Sequence, residues 1–278
     1  MKQILDILIQ LQELHYAKLE QQGSLSASRL DDLGKSVNAL LKKLPPEIAE
    51  LYQEIQNRYT AAVVQATEGV CSGCSMSLPT IQFQEVQEGK FLRQCPTCSR
   101  ILYFRSGAPR QRKPDHRGMK PRATTGMAKF SSEQLMLPSI QADTRDGAMH
   151  EMVHFMAEAG FVENPEDLVK AVIQREEMVT TAVKYGLAFP HVRGIEGGGL
   201  TLALGLKKKG LHFAPDERLT RILFLIIIPS VASVFFLQLL SGLIETFHEP
   251  EARKCILSCR TPEEMWEVLI ELTRETIP

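Results

Sequence analysis

A multidomain chain is predicted, with an N-terminal α-helical coiled-coil region, a small cysteine-bearing module and a C-terminal α/β domain. Three observations carry this. Apolar residues recur at intervals of three and four from Leu30 to Ile55. Two Cys-x2-Cys pairs, Cys71/Cys74 and Cys95/Cys98, are separated by 20 residues. Beyond residue 133, helix-like segments alternate with short apolar runs, the order of a layered α/β domain. The expected boundaries are 1–59 for the helices, 60–104 for the cysteine module, 105–132 for a basic flexible linker and 133–278 for the α/β domain. A chain of 278 residues with 44% hydrophobic content can bury more than one core. With 32 basic against 33 acidic residues the net charge is −1, so no global field marks it for nucleic acid or a membrane surface.

A first helix is expected over about residues 3–22, ending at Gly23 and able to fold back on the next. In the second, Leu30, Leu33, Val37, Leu40, Leu44, Ile48, Leu51 and Ile55 form the stripe, with a break at Pro45-Pro46. That stripe fits helix packing within the chain or a homodimer. Asp6, Glu13 and several glutamines interrupt the opening segment, so it is not expected to be a signal peptide. Residues 105–129 have no apolar periodicity, and eight Lys or Arg there face the single Asp115. A solvated tether is expected, without specific nucleic-acid recognition, because no aromatic residue precedes Phe130 to stack on bases.

Farther on, Asp143 or Thr144 can cap a helix ending near Gly160, and Asn164-Pro165 opens another. The runs LTLALGL and RILFLIII read as buried strands, followed by a helix through Phe247 and a last one from Pro262. The uncharged stretch Ile222–Ile244 is long enough to span a bilayer, but Pro229, Ser230, Ser233 and Gln238 divide it into a strand and a helix. No membrane span is expected.

Four thiolates in two Cys-x2-Cys turns can enclose one tetrahedral Zn²⁺, and the spacing is specific for that. Ile81, Phe83 and Val86 lie between the pairs, enough for short strands but not for a core, so the zinc is expected to be structural. Reduced thiols of this kind suit the cytoplasm. Cys255 and Cys259, four apart, are expected to be packed thiols.

Residues 150–154 read HEMVH, which on a helix places His150 and His154 on one face with Glu151 between them. Met149, Met152, Val153 and Met156 form the apolar stripe of the same helix, leaving the histidines on its flank. Glu176 lies at a usable distance for a third ligand, yet the motifs that supply one are absent. A solvated helix face is therefore expected in preference to a metalloprotease.

The stretch YTAAVVQATEGVCSGCSMSLP, with CPTCSRILYF after it, resembles the bacterial C4-type zinc ribbon that follows a helical coiled coil, over about residues 45–104. The resemblance implies a protein-docking adaptor, with an unknown protein partner. Residues 134–278 resemble the enzyme IIA component of the fructose/mannitol class of the bacterial sugar phosphotransferase system, including its nitrogen-regulatory members. The carriers are GLAFPH at Gly186–His191, REE at Arg175–Glu177 and AGFVENPED. The resemblance implies a mixed sheet flanked by helices and a histidine, here His191, that accepts a phosphoryl group from phospho-HPr. Pro190 restrains the backbone, and Arg193 or Arg175 is implied to balance the phosphoryl charge. Transport-type members carry a second histidine where FLQLLSGL places Phe236. Together these readings predict a cytoplasmic regulatory phosphocarrier and adaptor. The alternative is a scaffold that keeps the IIA fold without phosphorylation.

Overall fold

Apolar periodicity in the first sixty residues becomes three helices: α1 (Lys2–Gln21), α2 (Ala27–Leu41) and α3 (Pro46–Arg58). The computed structural model describes residues 2–21, 27–104, 111, 125–195, 198–214, 219–229 and 233–277. The chain divides into two units, Met1–Gly107 and Ala108–Pro278. Helix α1 packs against α2. The break falls where the prolines predict it, since Pro45 serves as N-cap of α3 and Pro46 opens it. Leu8, Leu11, Leu44, Tyr52 and Ile55 bury together with Ala62, Val63 and Ile101, so the stripe is used within one chain. Gln12 fastens α1 to the backbone just past α3: its Oε1 accepts from the amides of Ala62 (2.6 Å) and Val63 (3.1 Å).

The ribbon has strands β1 (Val63–Thr67), β2 (Val70–Cys71), β3 (Arg93–Gln94) and β4 (Ile101–Tyr103), in the order β2-β1-β4-β3. Residues 80–88, expected as short strands, form helix α4 (Thr80–Glu88) instead. Gln and Glu between its apolar residues favour helix, Pro79 starts it and Gly89, at φ 63°, stops it in the left-handed region. Val86 is buried with Val64, Ala66, Leu78 and Leu102, while Ile81 stays exposed.

Of the expected linker, residues 105–110 and 112–124 lie outside the described residues. Its last part belongs to the α/β unit. Met127 is buried in that unit's core, and Ser131 Oγ donates to the carbonyl of Leu202 at 2.7 Å. Phe130 packs against the same core, and the polar composition of the stretch hid these apolar anchors.

In the second unit come β5 (Met136–Leu137), α5 (Arg145–Glu158), α6 (Pro165–Met178), β6 (Ala182–Val183), β7 (Leu187–Ala188), β8 (His191–Ile195), β9 (Thr201–Leu211) and β10 (Thr220–Pro229). Helices α7 (Ser233–His248), α8 (Pro250–Ser258) and α9 (Pro262–Thr273) complete it. The sheet is mixed, in the order β5-β9-β10-β7-β6, with β8 also on β10. Strand β10 is central: antiparallel to β9 on one edge, it pairs on the other in parallel with β7 and then β8. Its near-continuous apolar run, buried from Ile222 to Ile228, is explained by that position.

The segment Ile222–Ile244 is shared between β10 and α7, and among the described residues no helix is long and apolar enough to cross a membrane. Thr144 caps α5 by accepting from Gly147 N at 3.1 Å. Cys259 is buried, but Cys255, expected to be packed as well, is exposed on α8. Four residues on one short helix placed the two thiols alike in sequence, and the end of α8 separates them.

Candidate functional site

The metal centre is built from two turns. Cys71 ends β2 and Cys74 lies in the next turn; Cys95 comes directly after β3, and Cys98 precedes β4. The sulfurs of Cys71 and Cys98 are 3.8 Å apart and those of Cys74 and Cys95 3.7 Å, with all four within 4.8 Å of one another. A tetrahedral ion with Zn–S bonds of about 2.3 Å requires sulfur–sulfur edges of about 3.8 Å. The residues therefore fit one structural zinc. Burial pushes the Cys71 thiol up. Burial also opposes ionisation of Cys95, but amide hydrogen bonds from Cys98 and Thr97 outweigh it and bring that thiol down to about 7. Charge-neutralising Zn²⁺ supplies the compensation the buried sulfurs need.

The second site lies where β7 passes into β8. Tyr185 and Gly186 both adopt left-handed backbone, at φ 72° and 75°. A Cβ at Gly186 would lie 2.9 Å from the carbonyl oxygen of Leu219, so glycine is required at the head of GLAFPH. Leu187–Ala188 pair with Ile222–Leu223, and His191–Arg193 pair with Ile226–Ile228. Between them Pro190, which has no N–H to offer, uses its carbonyl to accept from Ile226 N at 2.9 Å. His191 thus enters β8 held from both sides of the proline.

Its imidazole is oriented by its own backbone. Nδ1 lies 2.9 Å from the carbonyl oxygen of Phe189, and a carbonyl can only accept. The hydrogen is therefore on Nδ1, and in the neutral imidazole the ring lone pair is on Nε2. Behind this bond runs a path to a buried acid. Phe189 N–H donates to the Thr181 carbonyl at 3.2 Å, and Thr181 in turn donates its N–H (2.7 Å) and hydroxyl (2.6 Å) to Glu176. Glu176 is 2% exposed. The path anchors, through Thr181, the backbone that carries the Phe189 carbonyl.

His191 is itself 2% exposed. The Phe236 ring of α7 lies 4.9 Å from its imidazole, centroid to centroid, and the Arg193 guanidinium sits 4.7 Å from the centre of the same phenyl ring. Arg193 and His191 are thus brought together around Phe236. Arg175 is buried near the end of α6, where its Nη1 donates to the Val179 carbonyl at 3.0 Å and closes its own helix.

The HEMVH segment resolves differently from a protease site. Both oxygens of Glu151 accept from Gln141 N, at 2.9 and 3.0 Å, and Ala142 N donates to one of them at 2.8 Å. The carboxylate thus holds the backbone of residues 141–142, a structural role. Glu176, weighed as a third ligand, is committed to Thr181. Its part beside His191 was hidden because a glutamate at a helix end gives no sign of which loop carbonyl it will organise.

Family models match both units. The one described as "Phosphoenolpyruvate-dependent sugar phosphotransferase system, EIIA 2" matches residues 129–272, just over half of the chain, and that for the C4-type zinc ribbon domain matches residues 70–102. The fructose-specific EIIA component of the PTS system from Haloferax volcanii is 27% identical over 130 residues, covering 46% of this chain and 84% of that protein. The 2-O-alpha-mannosyl-D-glycerate-specific EIIABC component from Escherichia coli is 25% identical over 160 residues, which is 56% of this chain but 24% of that larger protein. Among solved structures, the nitrogen regulatory protein IIA-Ntr from Neisseria meningitidis superposes with a TM-score of 0.46 at 20% identity, over 51% of this chain and 97% of that one.

Proposed function

Since the chain belongs to the EIIA type 2 family of the phosphoenolpyruvate-dependent sugar phosphotransferase system and carries a C4-type zinc ribbon, we propose that it is a regulatory phosphocarrier whose acceptor is His191. The observation that carries this reading is the 2.9 Å contact of Nδ1 with the Phe189 carbonyl, which puts the ring lone pair on Nε2, the attacking atom. The phosphodonor is an HPr-like phosphohistidine protein. In the transfer, Nε2 bonds to phosphorus while the donor's P–N bond breaks, its electron pair remaining on the donor nitrogen. The Nδ1 proton stays on the ring, held by the Phe189 carbonyl, so no proton has to leave. Arg193, packed on the Phe236 ring that also flanks the imidazole, is proposed as the cation for the incoming phosphoryl oxygens. Arg175, on the helix α6 that packs against β8, is proposed as a second cation for them.

Phe236 stands where the resemblance puts a second histidine, and a phenyl ring donates no hydrogen bond to the phosphoryl group. This favours a slow, regulatory transfer over transport flux. The helices and zinc ribbon serve as the docking region for a protein partner, through which phosphorylation is read, and their helices also allow a homodimer. The proposed setting is the cytoplasm, where thiols stay reduced.

A scaffold that is never phosphorylated is the second reading, and the burial of His191 beneath Phe236 favours it. Incubation with enzyme I, HPr and labelled phosphoenolpyruvate separates the two. The carrier reading requires acid-labile label that His191→Ala abolishes. Unlabelled wild-type protein, with a competent HPr, establishes the scaffold.

A further inference from the structure

We propose that His150, His154 and Glu166 form a second metal site, an exchangeable one on the surface of the α/β unit, selective for borderline divalent transition ions such as Zn²⁺. The three residues come from two helices. His150 and His154 lie one turn apart on α5, on the flank left free by Met149, Met152, Val153 and Met156, which are wholly buried. Helix α6 packs beside α5, and its first turn delivers Glu166. Sequence spacing pointed to Glu176 at the far end of that helix; the packing of α5 on α6 brings up Glu166.

The geometry is that of a chelate. Glu166 Oε1 lies 3.1 Å from His154 Nε2 and 3.9 Å from His150 Nε2, and the three donor atoms lie within 4.8 Å of one another. A tetrahedral ion with bonds of about 2.0–2.1 Å to nitrogen and oxygen sets donor–donor edges of about 3.4 Å, between the two observed values. The imidazoles stack with centroids 4.2 Å apart, and the Nε2 atoms of both lie within 4 Å of the same carboxylate oxygen. Two imidazoles and one carboxylate favour Zn²⁺, Ni²⁺ or Cu²⁺ over Mg²⁺ or Ca²⁺, which prefer all-oxygen shells.

Such a site holds a metal without hydrolysing peptides. Three protein donors leave a position for water, but Glu151, the residue that HEMVH would assign as base, is fixed on the Gln141 and Ala142 amides. Bound metal would instead tie the start of α6 to the middle of α5. The site is chemically distinct from the four-thiolate ribbon, and the proposal stands whether or not His191 is phosphorylated.

The test is calorimetric titration of the full chain, its ribbon already zinc-loaded and any affinity tag removed, with Zn²⁺. One further equivalent is expected. Glu166→Gln and His154→Ala should each weaken that equivalent at least about tenfold, the smallest effect usual for losing even an outer-sphere partner. The tightly held ribbon zinc should be unchanged in both variants. These side chains lie on the surface, and circular dichroism verifies that the variants fold. No equivalent beyond the ribbon zinc in the wild type would overturn the proposal, as would unchanged binding in Glu166→Gln.

Discussion

The state of His191 depends on a few hydrogen bonds that start at Glu176. Replacing Glu176 by Ala removes both acceptors of Thr181 and leaves a buried amide and hydroxyl without them, which costs about 1–3 kcal/mol per group. Denaturant unfolding should register this loss. Labelling by phospho-HPr should fall further in Glu176→Ala than the unfolded fraction explains, because Phe189 then holds Nδ1 less firmly. Glu176→Gln, which keeps one oxygen for the Thr181 amide, should recover most of the rate. Equal labelling in all three proteins would show that the path positions nothing. Phe236 sets a second expectation at the same scale. Phe236→His introduces a donor beside the imidazole at 4.9 Å and should raise the initial labelling rate, while Phe236→Ala opens a core cavity at a cost of about 3–5 kcal/mol.

At the scale of elements, the turn into β7 and the ribbon decide whether the sites form. Gly186→Ala forces a Cβ against the Leu219 carbonyl in left-handed backbone and should destabilise the α/β unit by at least about 1–2 kcal/mol, measured by the shift in its unfolding midpoint. How much could be read ahead of the structure depends on how local each signal is. The cysteine turns, the proline break before α3 and the apolar run of β10 depend on neighbouring residues, and the sequence showed them. Helix α4 was misread as strand because three apolar residues in nine fit either period, and the separate helix α8 was not anticipated between two longer ones. The Glu176 path and the Glu166 pairing join elements through packing. No spacing rule reports which helix will lie beside α5, and so neither was visible.

Over the whole molecule, each unit has apolar clusters of its own among the described residues. The apolar cluster of the α/β unit draws on residues from Met127 to Ile277, and those of the helices and ribbon on residues up to Phe104. A structural zinc in a module this small contributes folding free energy outright, on the order of 10 kcal/mol. Stripping it with a strong chelator should therefore abolish the ribbon's calorimetric transition and leave that of the α/β unit. Cys71→Ser should do the same without chelator and lower the ribbon zinc content toward zero. Loss of both transitions on chelation would contradict this division.

The central claim is that the Phe189 carbonyl fixes the tautomer of His191 and so selects Nε2 as the phosphoryl acceptor. The direct measurement is phosphorus- and nitrogen-detected magnetic resonance on ¹⁵N-histidine-labelled protein phosphorylated by HPr. The account predicts a single phosphohistidine whose phosphorus couples to Nε2 of His191, with Nδ1 still carrying its proton. Phosphorus on Nδ1, or on a histidine that persists in His191→Ala, would contradict it.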